Sequence, residues 1–231
     1  MSGPAGWYGK LPALGDFAQR RLEPAFVAGW DHWLQDCVAA SKQTLRTDWL
    51  EVYLTAHIWR FLLLPGVVDE QTWAGVMMPS VDRVGRYFPL TVCTPLVAFE
   101  TGAASLATLE PWLDSLETVA RSALDPEIGV DSFDSNLLAL GAAPQAVSGL
   151  AQGAETAAAL SNGARSISLR FGTAGAGAGF QAIAAALLTR SLAGHSIWWC
   201  RDTTGETGGL AHLGLPDPQL YATMLAYSPD P

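Results

Sequence analysis

The chain has 231 residues, of which only 15% are charged, and carries a formal net charge of −9 at pH 7. Its 13 Lys and Arg against 22 Asp and Glu exclude the clustered positive surface that nucleic acid requires, and disfavour docking on anionic lipid by charge. Nine Trp and eight Phe in a chain that is 49% apolar argue for a packed globular protein with a large core, despite 23 Gly.

Cys37, Cys93 and Cys200 are widely spaced and lack a CxxC pattern, which reads as reduced core thiols of a cytosolic protein. Met1–Leu11 lacks the basic start and apolar run of a signal peptide, and no apolar stretch approaches the roughly 20 residues that span a bilayer. These features point to a cytoplasmic chain without a membrane insertion.

In chain order, Trp7–Pro12 reads as a first strand, closed by Pro12 and a turn at Gly15-Asp16-Phe17. Pro24 suits the first position of a helix to about Lys42, with Phe26, Trp30, Trp33, Cys37 and Ser41 as its stripe. Asp48-x-x-Glu51 has the form of a capping box. It predicts a second helix that turns Leu50, Leu54 and Ile58 to the core, carries Trp59 and Phe61 near its end, and stops at Pro65-Gly66.

Trp73–Met78 and Leu90–Val97 read as strands flanking a loop, with Pro95 limiting how central the second can be. A third helix within Thr108–Leu124, starting at Pro111, buries Trp112, Leu113, Leu116, Val119 and Ala120. Asp131 or Ser132 caps a short helix through Leu137, Leu138 and Leu140, closed by Gly141. Residues 141–179 turn rich in Ala and Gly and are expected to be partly flexible, with a short helix near Glu155–Leu160. Ser166–Phe171 alternates as a strand. A Gly/Ala loop, Gly172–Gly179, then leads into a helix over Phe180–Leu192. Ile197–Cys200 reads as a central strand, Gly208–Leu213 as a last one, and Asp217-Pro218 as the start of a closing helix. Interspersed helices and strands with a hairpin-like pair over 73–97 predict one α/β domain over 1–231. The expected architecture is a three-layer α/β/α sandwich with a mixed, partly antiparallel sheet.

Most chemical motifs fail on spacing. Gly172–Gly179 follows a strand and precedes a helix, yet lacks the Lys-Ser/Thr of a P-loop and the third spacing of a dinucleotide fingerprint. His195-Ser196 lies on a helix-to-strand passage, the reverse of a nucleophile elbow. His32, His57 and His212 have no ligand spacing, so no metal and no cofactor is expected. Asp114 and Glu117 read as a solvated helix face.

The densest charged and turn-forming stretch of the first half is Pro79–Pro89, with Asp82, Arg83 and Arg86 around Gly85, then Tyr87 and Phe88. Beside it stand Gly9-Lys10 and Gly15-Asp16-Phe17. One reading makes this a structural corner pinned by an Asp–Arg fork; another makes it an Arg/Tyr patch for a partner. Asp16, Asp82, Arg83 and Gly85 are assigned to the corner's shape, and Arg86, Tyr87 and Lys10 to a partner.

The same corners carry a family pattern. Trp7-Tyr8-Gly9-Lys10-Leu11-Pro12 with Gly15-Asp16-Phe17, Trp30-Asp31-x-Trp33-Leu34, and Met78-Pro79-Ser80-x-Asp82-x-x-Gly85-Arg86-x-Phe88-Pro89 resemble the TagF family of type VI secretion-associated proteins. His195-Ser196-x-Trp198-Trp199, then Gly214-Leu215-Pro216 and a terminal helix, resemble the end of the same domain. The resemblance implies a single domain, no enzymatic activity and no catalytic residues. It further implies a cytoplasmic repressor of secretion-system assembly, acting by binding the forkhead-associated scaffold protein of that machine. The alternative is a small-molecule or phosphate-binding regulatory domain using Arg83, Arg86 and Lys10 with the 172–179 amides. A hydrolase built on Ser196 and His195 is a third possibility and requires the two side chains to converge.

Overall fold

Strands from both ends of the chain build one sheet. A computed structural model describes residues 3–97, 99, 103–144, 151–163, 166–167, 175–202 and 204–227. Among them the strands are β1 (Gly6–Gly9), β2 (Ala18–Arg20), β3 (Trp59–Leu63), β4 (Thr72–Met78), β5 (Leu90–Leu96), β6 (His195–Arg201) and β7 (Thr207–Leu213), in the order β2-β1-β5-β4-β3-β6-β7. Every pairing between them is antiparallel, which corrects the expected mixed sheet. The reason lies in the connections: β3, β4 and β5 form a meander, and its links are hairpins, not the helical crossovers that parallel neighbours need.

The helices are α1 (Pro24–Leu45), α2 (Trp49–Thr55), α3 (Ala103–Ser122), α4 (Val130–Ala139), α5 (Ala151–Ser161), α6 (Gly175–Ser191) and α7 (Pro218–Leu225), with a 3-10 turn at Arg46–Asp48. Strand alternation sorts the core into two clusters on opposite faces of the sheet. Leu62, Ala74, Val76, Leu90 and Val92 join Leu109, Leu113 and Leu116 of α3 and Phe133 and Leu137 of α4. Trp59, Phe61, Leu63, Trp73 and Cys93 join Phe26, Trp30 and Leu34 of α1, Tyr53 of α2 and Tyr221 of α7. Trp30 centres the second cluster: its ring meets Phe26, Trp33, Phe61 and Trp198, and its indole N–H donates to Thr91 Oγ1 at 2.9 Å. All seven residues of β4 are buried, as a central strand covered on both faces requires.

Several expectations are corrected. The second helix ends at Thr55, and Trp59–Leu63 is a strand, because five consecutive buried residues need cover on both faces. Its phase also differs: Trp49 and Tyr53 are buried, while Leu50 and Leu54 are exposed. Asp48 has helical backbone angles and makes no cap bond; its carboxylate accepts from the Thr47 hydroxyl, so the capping box does not form. Pro111 lies inside α3, where burial of Leu109, Trp112, Leu113 and Leu116 offsets the roughly 3 kcal/mol that an interior proline costs. α4 starts after Gly129 without a side-chain cap, so neither Asp131 nor Ser132 has the expected role. β2 was not foreseen. Asp217 does cap α7, accepting from the Leu220 amide at 2.8 Å.

The expected loop Gly172–Gly179 is helical from Gly175 onward, an Ala-rich run that packs on α5 where Gly153 meets Ala182. Gly172–Ala174 lie outside the described residues, as does the predicted strand Ser166–Phe171 beyond Ser166 and Ile167, which themselves are not in a strand. Among the described residues, no helix is long and apolar enough to cross a membrane.

The β4–β5 contact sets a steric limit. A Cβ on Gly75 would stand 2.3 Å from the Val92 carbonyl oxygen and 2.5 Å from the Cys93 Cβ. Gly75→Ala is therefore expected to destabilise the chain by about 1–3 kcal/mol, the range for overpacking, read as a lower denaturant midpoint. An unchanged midpoint would refute this tight pairing.

Candidate functional site

β1 pairs with β5 antiparallel, so the residues leaving β1 and those entering β5 emerge at the same end of the sheet. Gly9 makes this possible: its φ is +141°, and a Cβ there would lie 2.2 Å from the Pro89 carbonyl oxygen. The segment Lys10–Phe17 and the loop Ser80–Phe88 thereby become one corner.

The corner closes on Asp82, whose side chain has no solvent exposure. Its Oδ2 accepts from Lys10 Nζ at 2.5 Å and from Arg86 Nε at 2.7 Å. Its Oδ1 accepts from the amides of Val84 at 3.0 Å and Arg86 at 2.9 Å. Backbone bonds from the Asp82 amide to the Arg86 carbonyl and from the Gly85 amide to the Asp82 carbonyl fold the loop back on itself, with Gly85 at φ +85°. Burial alone would raise the Asp82 carboxyl; the Lys10 ammonium, the Arg86 amide and guanidinium and the Val84 amide outweigh it and hold the group well below the usual carboxylate range.

Further bonds lock the two segments together. The Arg83 amide donates to the Leu14 carbonyl at 2.7 Å, Arg86 Nη2 to the Gly15 carbonyl, and the Ser80 hydroxyl to the Lys10 carbonyl at 2.7 Å. The Tyr53 hydroxyl of α2 donates to the Ser80 carbonyl at 3.1 Å. Phe17 lies over Lys10, with the ammonium 4.3 Å from the ring centroid, and packs edge-on against Phe88 at 4.8 Å.

The structure places the sequence-derived residues together, with Asp82 and Gly85 shaping the corner as expected and others engaged differently. Lys10, assigned to a partner, is 3% exposed and is a counter-ion of Asp82. Arg86, also assigned to a partner, makes the ion pair with Asp82 expected of Arg83, through its Nε alone, although 54% of its side chain is exposed. The turn explains the exchange: it returns residue 86 to Asp82 and leaves Arg83 on the outside, where its guanidinium makes no hydrogen bond or ion pair with any described residue. Tyr87 is half-buried, its ring edge-on to Trp49 and Tyr53. Asp16 is exposed and lies 3.9 Å from Arg86.

Two ion-pair centres escaped the sequence reading. Asp134 of α4, 5% exposed, accepts from Trp7 Nε1 at 2.8 Å, from Arg21 at 2.6 and 2.8 Å and from Arg20 at 3.0 Å. Arg21 guanidinium leads the donors that hold this carboxyl well below its ordinary range. Arg60 of β3, 3% exposed, pairs with Glu110 at 2.7 Å, Asp114 at 2.7 Å and Glu117 at 2.8 Å on α3, so the supposedly solvated face is a docking stripe. Arg201 joins Asp114 and Glu110. The signal for this centre was present: a lone Arg in the apolar run Trp59–Leu63, and carboxylates spaced by four and three on one helix face.

The other candidates do not assemble. The Ser196 hydroxyl donates to the Gly214 carbonyl at 2.6 Å, while His195 Nδ1 lies 3.2 Å from the Ala193 carbonyl oxygen, so the two side chains engage different partners. Burial pushes the Cys37 and Cys200 thiols up, to about 12 and about 11, as suits inert core residues. Among the described residues, no group of three His, Cys, Asp or Glu has the geometry to hold a metal ion.

Two comparisons with known proteins give matches. A family model described as the TagF N-terminal domain, type VI secretion system-associated, matches residues 6–140. The crystal structure of PA0076 from Pseudomonas aeruginosa PAO1 superposes with a TM-score of 0.75 at 34% identity, covering 96% of this chain and 93% of that one. No curated protein matches the chain.

The Asp82 site predicts a pH signature. A carboxyl held below its ordinary value contributes stability that is fully present above the unfolded pKa of about 4 and is lost as pH falls towards the folded value. Asp82→Asn is expected to lower Tm at pH 7, with a gap to the parent that narrows between pH 5 and pH 3, about the window of that unfolded pKa. A gap that stays constant across this range would contradict the assignment.

Proposed function

The chain belongs to the TagF family of type VI secretion system-associated proteins, and from that membership we propose that it is a non-enzymatic cytoplasmic accessory. It represses assembly of the secretion machine by binding the machine's forkhead-associated scaffold protein. The observation that carries the reading is the corner itself. A fully buried carboxylate neutralised by Lys10 and Arg86 holds a loop whose outer residues, Arg83, Val84 and Gly85, are presented to solvent. Rigid display of an Arg beside an aliphatic side chain suits recognition of a protein surface, because little ordering entropy is then lost on binding.

The phosphate-binding alternative finds less support. Lys10 and Arg86 are engaged by Asp82, and so are the amides of Val84 and Arg86 that could otherwise cradle an anion.

Titration calorimetry of the purified chain against the forkhead-associated scaffold tests the proposal. The expected result is saturable binding with a Kd of about 10 μM or tighter, roughly 7 kcal/mol or more. No heat of binding up to about ten times that concentration would contradict it.

A further inference from the structure

Arg83 is a cation of the corner that, among the described residues, has no side-chain partner. Its Nη2 lies beside Gly15, 3.6 Å from where a Cβ on that residue would stand, and Arg86 Nη2 donates to the Gly15 carbonyl. Two guanidinium groups thus flank one glycine, one tied down and the other free. The Asp82 carboxylate already serves four donors and has no solvent exposure, so it cannot neutralise Arg83. Exposed Val84 and half-covered Phe17, 64% and 42% accessible, occupy the same two segments.

We propose that Arg83 is the recognition contact of this surface, taking a carboxylate side chain from an acidic segment of the protein partner, with Val84 and Phe17 as apolar contacts beside it. This rests on the partner-binding reading above and names the chemistry of the partner. The chain as a whole bears a charge of −9, so an acidic segment is repelled by most of the molecule. A local cation on a fixed loop therefore sets the register and orientation of approach. The planar guanidinium carried on that loop also matches a carboxylate bidentately. A free phosphate ion is a poorer fit: the loop amides that would complete an anion cradle are consumed within the fold.

Two probes test this separately from the function. The first is the forkhead-associated scaffold, titrated against the parent chain, Arg83→Ala, Arg83→Lys and Arg83→Glu. Expected are an unchanged Tm, since the Arg83 side chain makes no bond to any described residue, and a Kd weakened about tenfold or more by Arg83→Glu, the scale of an Arg hot spot. Arg83→Lys recovers part of the loss. A parent-like Kd for Arg83→Glu overturns the proposal.

The second probe is a synthetic peptide of alternating Glu and Leu, compared with inorganic phosphate, followed by the amide NMR signals of Arg83, Val84 and Gly85. The peptide is expected to shift these signals in the parent and not in Arg83→Ala. If the scaffold does not bind but the peptide shifts the loop, the function fails and the surface assignment stands. If neither acts, or phosphate alone shifts the loop, the assignment is overturned.

Discussion

A carboxylate buried away from water is costly unless its oxygens are saturated with donors, and Asp82 meets that condition only by drawing two distant segments together. Its four donors come from Lys10 after β1 and from Val84 and Arg86 in the loop before β5. Each bond fixes something different. Lys10 joins the segments, the two amides set the turn, and the Arg86 side chain reaches on to the Gly15 carbonyl. Removing the carboxylate would leave a buried ammonium and two unpaired amides, so the corner's shape depends on this one group more than on any apolar contact around it.

The sheet supplies the frame that makes such a corner possible. β1 lies beside β5, and β5 beside the fully buried β4, so the two segments emerge from strands in the interior of the sheet. The other two charged centres have the same logic. Asp134 ties α4 to β1 and to the Arg20-Arg21 pair, and Arg60 ties β3 to α3. In each, one nearly buried charge is surrounded by several opposite ones, and each lies where a helix crosses the sheet or a strand ends. β6, β7 and α7 lie beyond the region matched by the family model, yet β6 pairs with β3 and α7 contributes Tyr221 and Met224 to the α1 core.

Much of this was legible from local pattern. The strands Trp73–Met78 and Leu90–Val97, the aromatic stripe of the first long helix and the Asp217 cap follow from periodicity and cap chemistry, which act over a few residues. Trp59–Leu63 was misread as helix because a strand buried on both faces loses its alternation and resembles a buried helical run. The location of the corner could be read from its charge density. Its pairing could not, since whether Asp82 meets Arg83, Arg86 or Lys10 depends on the turn's path and on β1 lying beside β5, which are long-range facts. The same applies to Asp134, whose partners Arg20 and Arg21 are more than a hundred residues away.

Native-state hydrogen exchange at the amides of Val84 and Arg86 tests most directly whether Asp82 holds the loop rigid. Both amides donate to its Oδ1, and both lie in an otherwise exposed turn. The prediction is that they exchange slowly in the parent chain and become fast in Asp82→Ala, which removes the acceptor oxygen, while the amides of β4 and β5 keep their protection. Free exchange of Val84 and Arg86 in the parent, or unchanged protection in Asp82→Ala, would contradict the central role assigned to this carboxylate.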